Sequence, residues 1–134
     1  MKYLIDTDWA TDHLRQVGTV SRRWENLAPE GLALSIVSLA EIYEGVYYSR
    51  DHARSEEVLN QFLDPDLEIF TIDEETCQLF SRERGRLRQQ GMSIEDMDLS
   101  MAAPYLQHNL TLLSHNRRHF ELVDGLEIIS VETS

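Results

Sequence analysis

Five short apolar runs, each separated from the next by sequence with helical spacing, leave this chain few ways to fold. The runs are Tyr3-Leu4-Ile5, Leu32 to Val37, Leu67 to Ile72, Leu110 to Ser114 and Leu126 to Val131. Runs this short and continuous read as buried strands. Between them the sequence predicts helices over about Thr11 to Leu27, Ser38 to Ser49, His52 to Phe62 and from the box at Thr71 to about Gln90, with another from Ser93. Pro29-Glu30-Gly31 and Asp64-Pro65-Asp66 read as turns, and Gly91 stops the long fourth helix. Three helix starts carry the spacing of a capping box: Ser38 with Glu41, Thr71 with Glu74, and Ser93 with Asp96. Strands alternating with helices imply an α/β chain with a mostly parallel central sheet of about five strands, flanked by helices on both faces.

With 134 residues, 42% of them apolar, the chain is expected to form a single domain over 1–134 with one real core. The lone Cys77 excludes an internal disulfide and a cysteine-based zinc site, and fits a reducing compartment. No apolar run approaches the ~18 residues of a membrane span. MKYLID lacks the features of a signal peptide, so the expected location is cytoplasmic. A net charge of −12 argues against unspecific nucleic-acid binding. Charge distribution softens that conclusion. Lys2 is the sole lysine, and Arg82, Arg84, Arg86 and Arg88 fall close together, with Arg117 and Arg118 further on. Such a cluster either holds phosphate or is a solvated helix face.

The acids are placed suggestively. In an open parallel sheet, ligands bind beyond the carboxyl ends of the strands. Asp6 ends the first strand, Glu41 lies in the helix after the second, and Asn116 follows the fourth. Asp98 sits near the start of the helix that feeds the fourth strand, on one face with the small Ala102. Three carboxylates and an amide oxygen make a hard, all-oxygen set suited to Mg²⁺ or Mn²⁺. Each has a plainer reading: Asp6 as a cap, Glu41 as the far half of a capping box, Asn116 as a turn residue. Asp8 reads as a cap or surface acid. His115 and His119 are four apart, but no third ligand accompanies them to make a zinc site.

These segments, in this order, resemble the PIN-domain ribonucleases, and among them the VapC-type toxins of toxin–antitoxin pairs. The resemblance rests on MKYLIDTD, on SLAEIYEGV at Ser38–Val46, on RLRQQGMSIEDMDLSMAA at Arg86–Ala103 and on NLTLLSHNRRHFELVDGLEI at Asn109–Ile128. It implies that Asp6, Glu41 and Asp98 are the metal-binding carboxylates and that Asn116 stands at the family's fourth, often acidic, position. It also implies that Thr7 orients a ligand. The Asn removes one charge and puts a second metal in doubt. Pro104 departs from the usual pattern and predicts a kink. The implied function is Mg²⁺- or Mn²⁺-dependent endonucleolytic cleavage of RNA by the toxin of a type II pair. The implied partners are an antitoxin laying an apolar segment near the site and a second copy docking on Ile42, Val46 and Tyr47, so that the protein is a homodimer or a hetero-oligomer with its antitoxin.

Two other readings compete. Asp6-Thr7-Asp8 mimics the D-x-D opening of haloacid-dehalogenase-type phosphatases, but that chemistry and that of phosphorelay receivers need a lysine, and Lys2 lies ahead of the first strand. A catalytically weak or inactive PIN-fold binding module is the alternative from another class; Asn116 favours it and the retained acids speak against it.

Overall fold

The structure, a computed structural model, describes residues 3–15, 18–63, 67–115, 117–123 and 127–129. Strands β1 (Tyr3–Ile5), β2 (Leu32–Ser35), β3 (Glu68–Phe70), β4 (Thr111–Leu113) and β5 (Glu127–Ile129) form one sheet in the order β3-β2-β1-β4-β5. Every neighbouring pair is parallel, and Ile5 lies opposite Leu34 on one side and Leu113 on the other. The chain winds outward from β1 to β3, then returns to add β4 at the other edge of β1. That reversal places a crevice at the carboxyl ends of β1 and β4.

The helices are α1 (Thr7–Leu14), α2 (Gly18–Leu27), α3 (Ile36–Tyr47), α4 (His52–Phe62), α5 (Glu74–Gln89), α6 (Asp96–His108) and α7 (Arg117–Phe120). Side chains alternate across the sheet with a period of two, so each strand feeds two cores. Tyr3, Ile5, Leu32, Leu34 and Leu113 pack with Trp9 of α1, Trp24 of α2, Ile42 and Val46 of α3 and Leu59 of α4. Leu4, Ala33 and Leu112 pack with Leu87 of α5, with Leu99, Ala102 and Tyr105 of α6 and with Phe120 of α7. Ala102 is fully buried, and its small side chain lets the Asp98 face of α6 approach its neighbours. Among the described residues no helix is long and apolar enough to cross a membrane.

Several local expectations are corrected. The single helix expected over Thr11 to Leu27 is two, because Asp6 caps a helix directly after β1, and that helix ends at Arg15. The second strand stops at Ser35 rather than Val37, since the Ser35 hydroxyl accepts the Val37 N–H at 3.2 Å and starts α3 there. Glu41 therefore lies well inside α3 and is no capping residue. The box at the start of α5 is formed by Asp73 and Thr76, not Thr71 and Glu74. At α6 the N-cap is Glu95, without a side-chain cap bond, so Ser93 and Asp96 form no box. Asp96 instead pairs with Arg84. Pro104 lies inside α6, which continues past it to His108. On α3, of the face expected to dock a second copy, Ile42 and Val46 are largely buried and Tyr47 is 64% exposed.

Because Ser35 is completely buried and caps α3, Ser35→Ala is expected to cost about 1 kcal/mol of stability. A urea melt checks this; an unchanged midpoint would deny the cap its role.

Candidate active site at the carboxyl end of the sheet

The parallel register decides what meets Asp6. It follows β1 by one residue as Ser114 follows β4, and the ladder extends past the strands through the Asp6 N–H to the Leu113 carbonyl at 2.9 Å. The Ser114 hydroxyl donates to Asp6 Oδ2 at 2.7 Å, while Oδ1 accepts the Thr7 backbone N–H at 2.8 Å. Asp6 is thus both the cap of α1 and an acid only 6% exposed at the crevice. Glu41 is tied to the same turn, since the Thr7 hydroxyl donates to Glu41 Oε1 at 2.8 Å. Asp98, half-buried in the first turn of α6, is near enough for its charge to act on Asp6. Thr7 thus ties Asp6 and Glu41 to one turn, and Asp98 lies within electrostatic reach of Asp6. Asn116 lies outside the described residues.

Electrostatics mark the spot. Burial pushes the Asp6 carboxyl from its ordinary 3.8 up to about 7, with further upward pressure from Asp8 and, more weakly, Asp98. The Ser114 hydroxyl and Thr7 N–H pull the other way without prevailing. Asp8 is raised as well, again chiefly by burial. Its Oδ2 accepts the His115 backbone N–H at 3.1 Å, while Oδ1 is buried without a hydrogen-bond partner. Asp8 is therefore not the surface acid its sequence context suggested.

A cluster of acids that burial and mutual repulsion drive toward protonation suits a divalent cation, which would let them ionise. The unsatisfied buried oxygen of Asp8 points the same way. Among the described residues no three His, Cys, Asp or Glu side chains stand as a ready-made coordination group. Of the two histidines at zinc-like spacing, His115 Nε2 is bonded to Asp12 Oδ2 at 2.9 Å, and the His119 side chain is outside the described set.

The arginine run divides by role. Arg84 donates to the Ile94 carbonyl at 2.9 Å and pairs with Asp96, pinning the loop before α6. Arg86 pairs with Glu83 and donates to the Leu122 carbonyl. Both are structural ties, while Arg82, Arg88 and Arg118 remain exposed. The Arg117 side chain is outside the described set. Sequence reasoning left out Ser114 altogether, although its place one residue after β4, matching Asp6 after β1, was a usable signal.

A groove of about 380 Å³ runs between α1, α3 and α4, with Leu14, Ile42, Val46 and Val58 as apolar lining. Glu41 lies on it, and Arg15 and Arg54 contribute the cations.

A parallel 3-2-1-4-5 sheet with the buried Asp6 at its β1–β4 crevice is the arrangement that the resemblance to PIN domains implied. Comparison with known proteins narrows this. No protein-family model matches the chain. It is 36% identical over 129 residues to Ribonuclease VapC1 of Methanocaldococcus jannaschii, covering 95% of this chain and 86% of that one. It is 29% identical over 128 residues to Ribonuclease VapC2 of Haemophilus influenzae, covering 94% and 95%. Among solved structures it superposes with a TM-score of 0.90 and 25% identity on VapBC2 of Rickettsia felis bound to a promoter DNA fragment, covering 98% of this chain and 100% of that one. The chain belongs to the VapC family of PIN-domain toxins.

Proposed function

We propose that this protein is the ribonuclease toxin of a type II toxin–antitoxin pair and hydrolyses RNA phosphodiesters in a Mg²⁺- or Mn²⁺-dependent reaction. The observation that carries the reading is the buried Asp6, held by Ser114 and Thr7 beside Asp8 and within electrostatic reach of Asp98. The relatives named above are ribonucleases, and the R. felis neighbour is a VapBC complex.

Asp6, Glu41 and Asp98 would hold the cation, which when bound neutralises phosphate charge and makes a water nucleophilic at neutral pH. Ser114 orients Asp6, and the Thr7 hydroxyl orients Glu41, so two carboxylates are set by one turn and one strand end. In the reaction a water oxygen adds to phosphorus in line with the bond that breaks, and the proton ends on the departing ribose oxygen. The chain's −12 charge keeps general RNA binding weak, which fits a selective nuclease. An antitoxin segment with apolar side chains fits the groove over Leu14, Ile42, Val46 and Val58 and from there reaches Glu41. Action on cellular RNA places the protein in the cytoplasm.

The neutral Asn116 favours one rival, a PIN-fold binding module without catalysis. Incubating the purified, antitoxin-free protein with total cellular RNA and Mg²⁺, Mn²⁺ or EDTA decides between them. Discrete fragments that need the metal are expected; a folded protein that cuts nothing with either ion would leave the binding module.

A further inference from the structure

The β1–α1 turn carries a second, half-buried acid for which the capping of α1 gives no reason. Asp6 already caps α1, leaving Asp8 in its first turn. Two consecutive residues hold the two acids: Ser114 Oγ donates to Asp6 Oδ2, and the next backbone N–H, that of His115, donates to Asp8 Oδ2. The carboxyls therefore lie side by side at the end of β4. Asp8 Oδ1 is left buried without a well-formed hydrogen bond, with the Trp9 N–H and the Asp6 carboxyl close enough to act on the Asp8 carboxyl. A carboxylate oxygen in that state costs about 1–3 kcal/mol unless something satisfies it. His115 does not, because its ring Nε2 is engaged by Asp12 and its backbone N–H by Oδ2.

We propose that Asp8 is a further carboxylate of the cation site, supplying Oδ1 beside Asp6 while Oδ2 stays on the His115 N–H. This rests on the metal-dependent reading above and extends its ligand set. A structural tie to His115 needs only one acceptor oxygen and no charge. A cation needs the charge, and with an amide at position 116 the sequence offers no acid there. Asp8, beside Asp6, supplies a further charge.

The test separates charge from hydrogen bonding. Asp8→Asn keeps a carbonyl oxygen for the His115 N–H but removes the charge. Mn²⁺ affinity measured calorimetrically is expected to fall about tenfold, a typical cost of losing a supporting group around a metal. Asp12→Asn, an equal loss of charge at a half-buried acid that faces the His115 ring, is expected to stay within about twofold of wild type, because Asp12 holds the ring and not the cation. A second measurement needs no variant: in wild-type protein the Asp8 carboxyl ¹³C resonance should move with added Mg²⁺ alongside that of Asp6, while Asp12 stays put. Wild-type affinity in Asp8→Asn, or a stationary Asp8 resonance in a protein that does bind the ion, overturns the proposal and leaves the nuclease reading standing. A wild-type protein that takes up neither ion overturns both.

Discussion

Asp98→Asn is expected to reduce metal-dependent RNA cleavage by about 10²–10³-fold, the scale on which one preorganised electrostatic group contributes to a transition state. Asp98 occupies the first turn of α6, half-buried, on the face that continues through the fully buried Ala102. Asn has the same shape and still suits the start of a helix, so the fold should be retained. What is lost is one negative charge facing Asp6. With that charge gone the cation is held less tightly, and excess Mg²⁺ should restore part of the rate. Cleavage assays across a Mg²⁺ titration, with circular dichroism to verify folding, read both effects. Fragments produced at the wild-type rate would remove Asp98 from the site.

The second large effect concerns stability without metal. Asp6 titrates at about 7 in the folded chain against an ordinary 3.8. Between those values the folded state holds the proton more often than the unfolded one, so stability falls as pH rises through this window. At 1.36 kcal/mol per pKa unit the full span amounts to about 4 kcal/mol, an upper bound because Asp6 and Asp8 titrate together. Asp8, raised in the same direction, acts with the same sign. In EDTA the melting temperature should therefore drop from pH 5 to pH 8, and Mg²⁺ should recover much of the loss at pH 8 by stabilising the ionised form. Asp6→Asn, which keeps an acceptor for the Ser114 hydroxyl, should flatten the pH dependence and make the metal-free protein more stable than wild type at pH 8. A wild-type melt independent of pH across this range would mean that Asp6 is not held in the environment described here.

Such behaviour is common where function and stability compete. The chain keeps Asp6 and Asp8 side by side at the crevice at a cost that ionisation makes larger. Ser114 and Thr7 lower part of that cost with hydrogen bonds, but burial outweighs them. The outer helices carry the compensating order. Arg84 fixes the loop before α6 by its bond to the Ile94 carbonyl and its pair with Asp96. Gln107, near the other end of α6, donates to both carboxylate oxygens of Asp73 at the start of α5 at 3.1 Å. Asp98 is thereby presented by a helix pinned at both ends.

Much was legible in the amino-acid sequence. Short apolar runs alternating with helical stretches demand a parallel sheet with helices on both faces, because only that arrangement buries such strands twice. The ordered segments around Asp6, Glu41 and Asp98 were enough to indicate a PIN domain. Local caps were read less well. Ser35 rather than Ser38 starts α3, and Glu95 rather than Ser93 precedes α6, because several polar residues near a helix start satisfy the same spacing and packing selects one of them. The roles of Arg84 and Arg86 also needed three dimensions, since their partners Ile94 and Leu122 lie 10 and 36 residues away. Most dependent on tertiary structure was the surrounding of Asp6. Its hydroxyl partner, Ser114, is 108 residues distant, brought opposite by the β1–β4 register. Composition and spacing can place an acid at the end of a strand. Only the closed sheet decides what faces it, how deeply it is buried, and hence which proton it keeps.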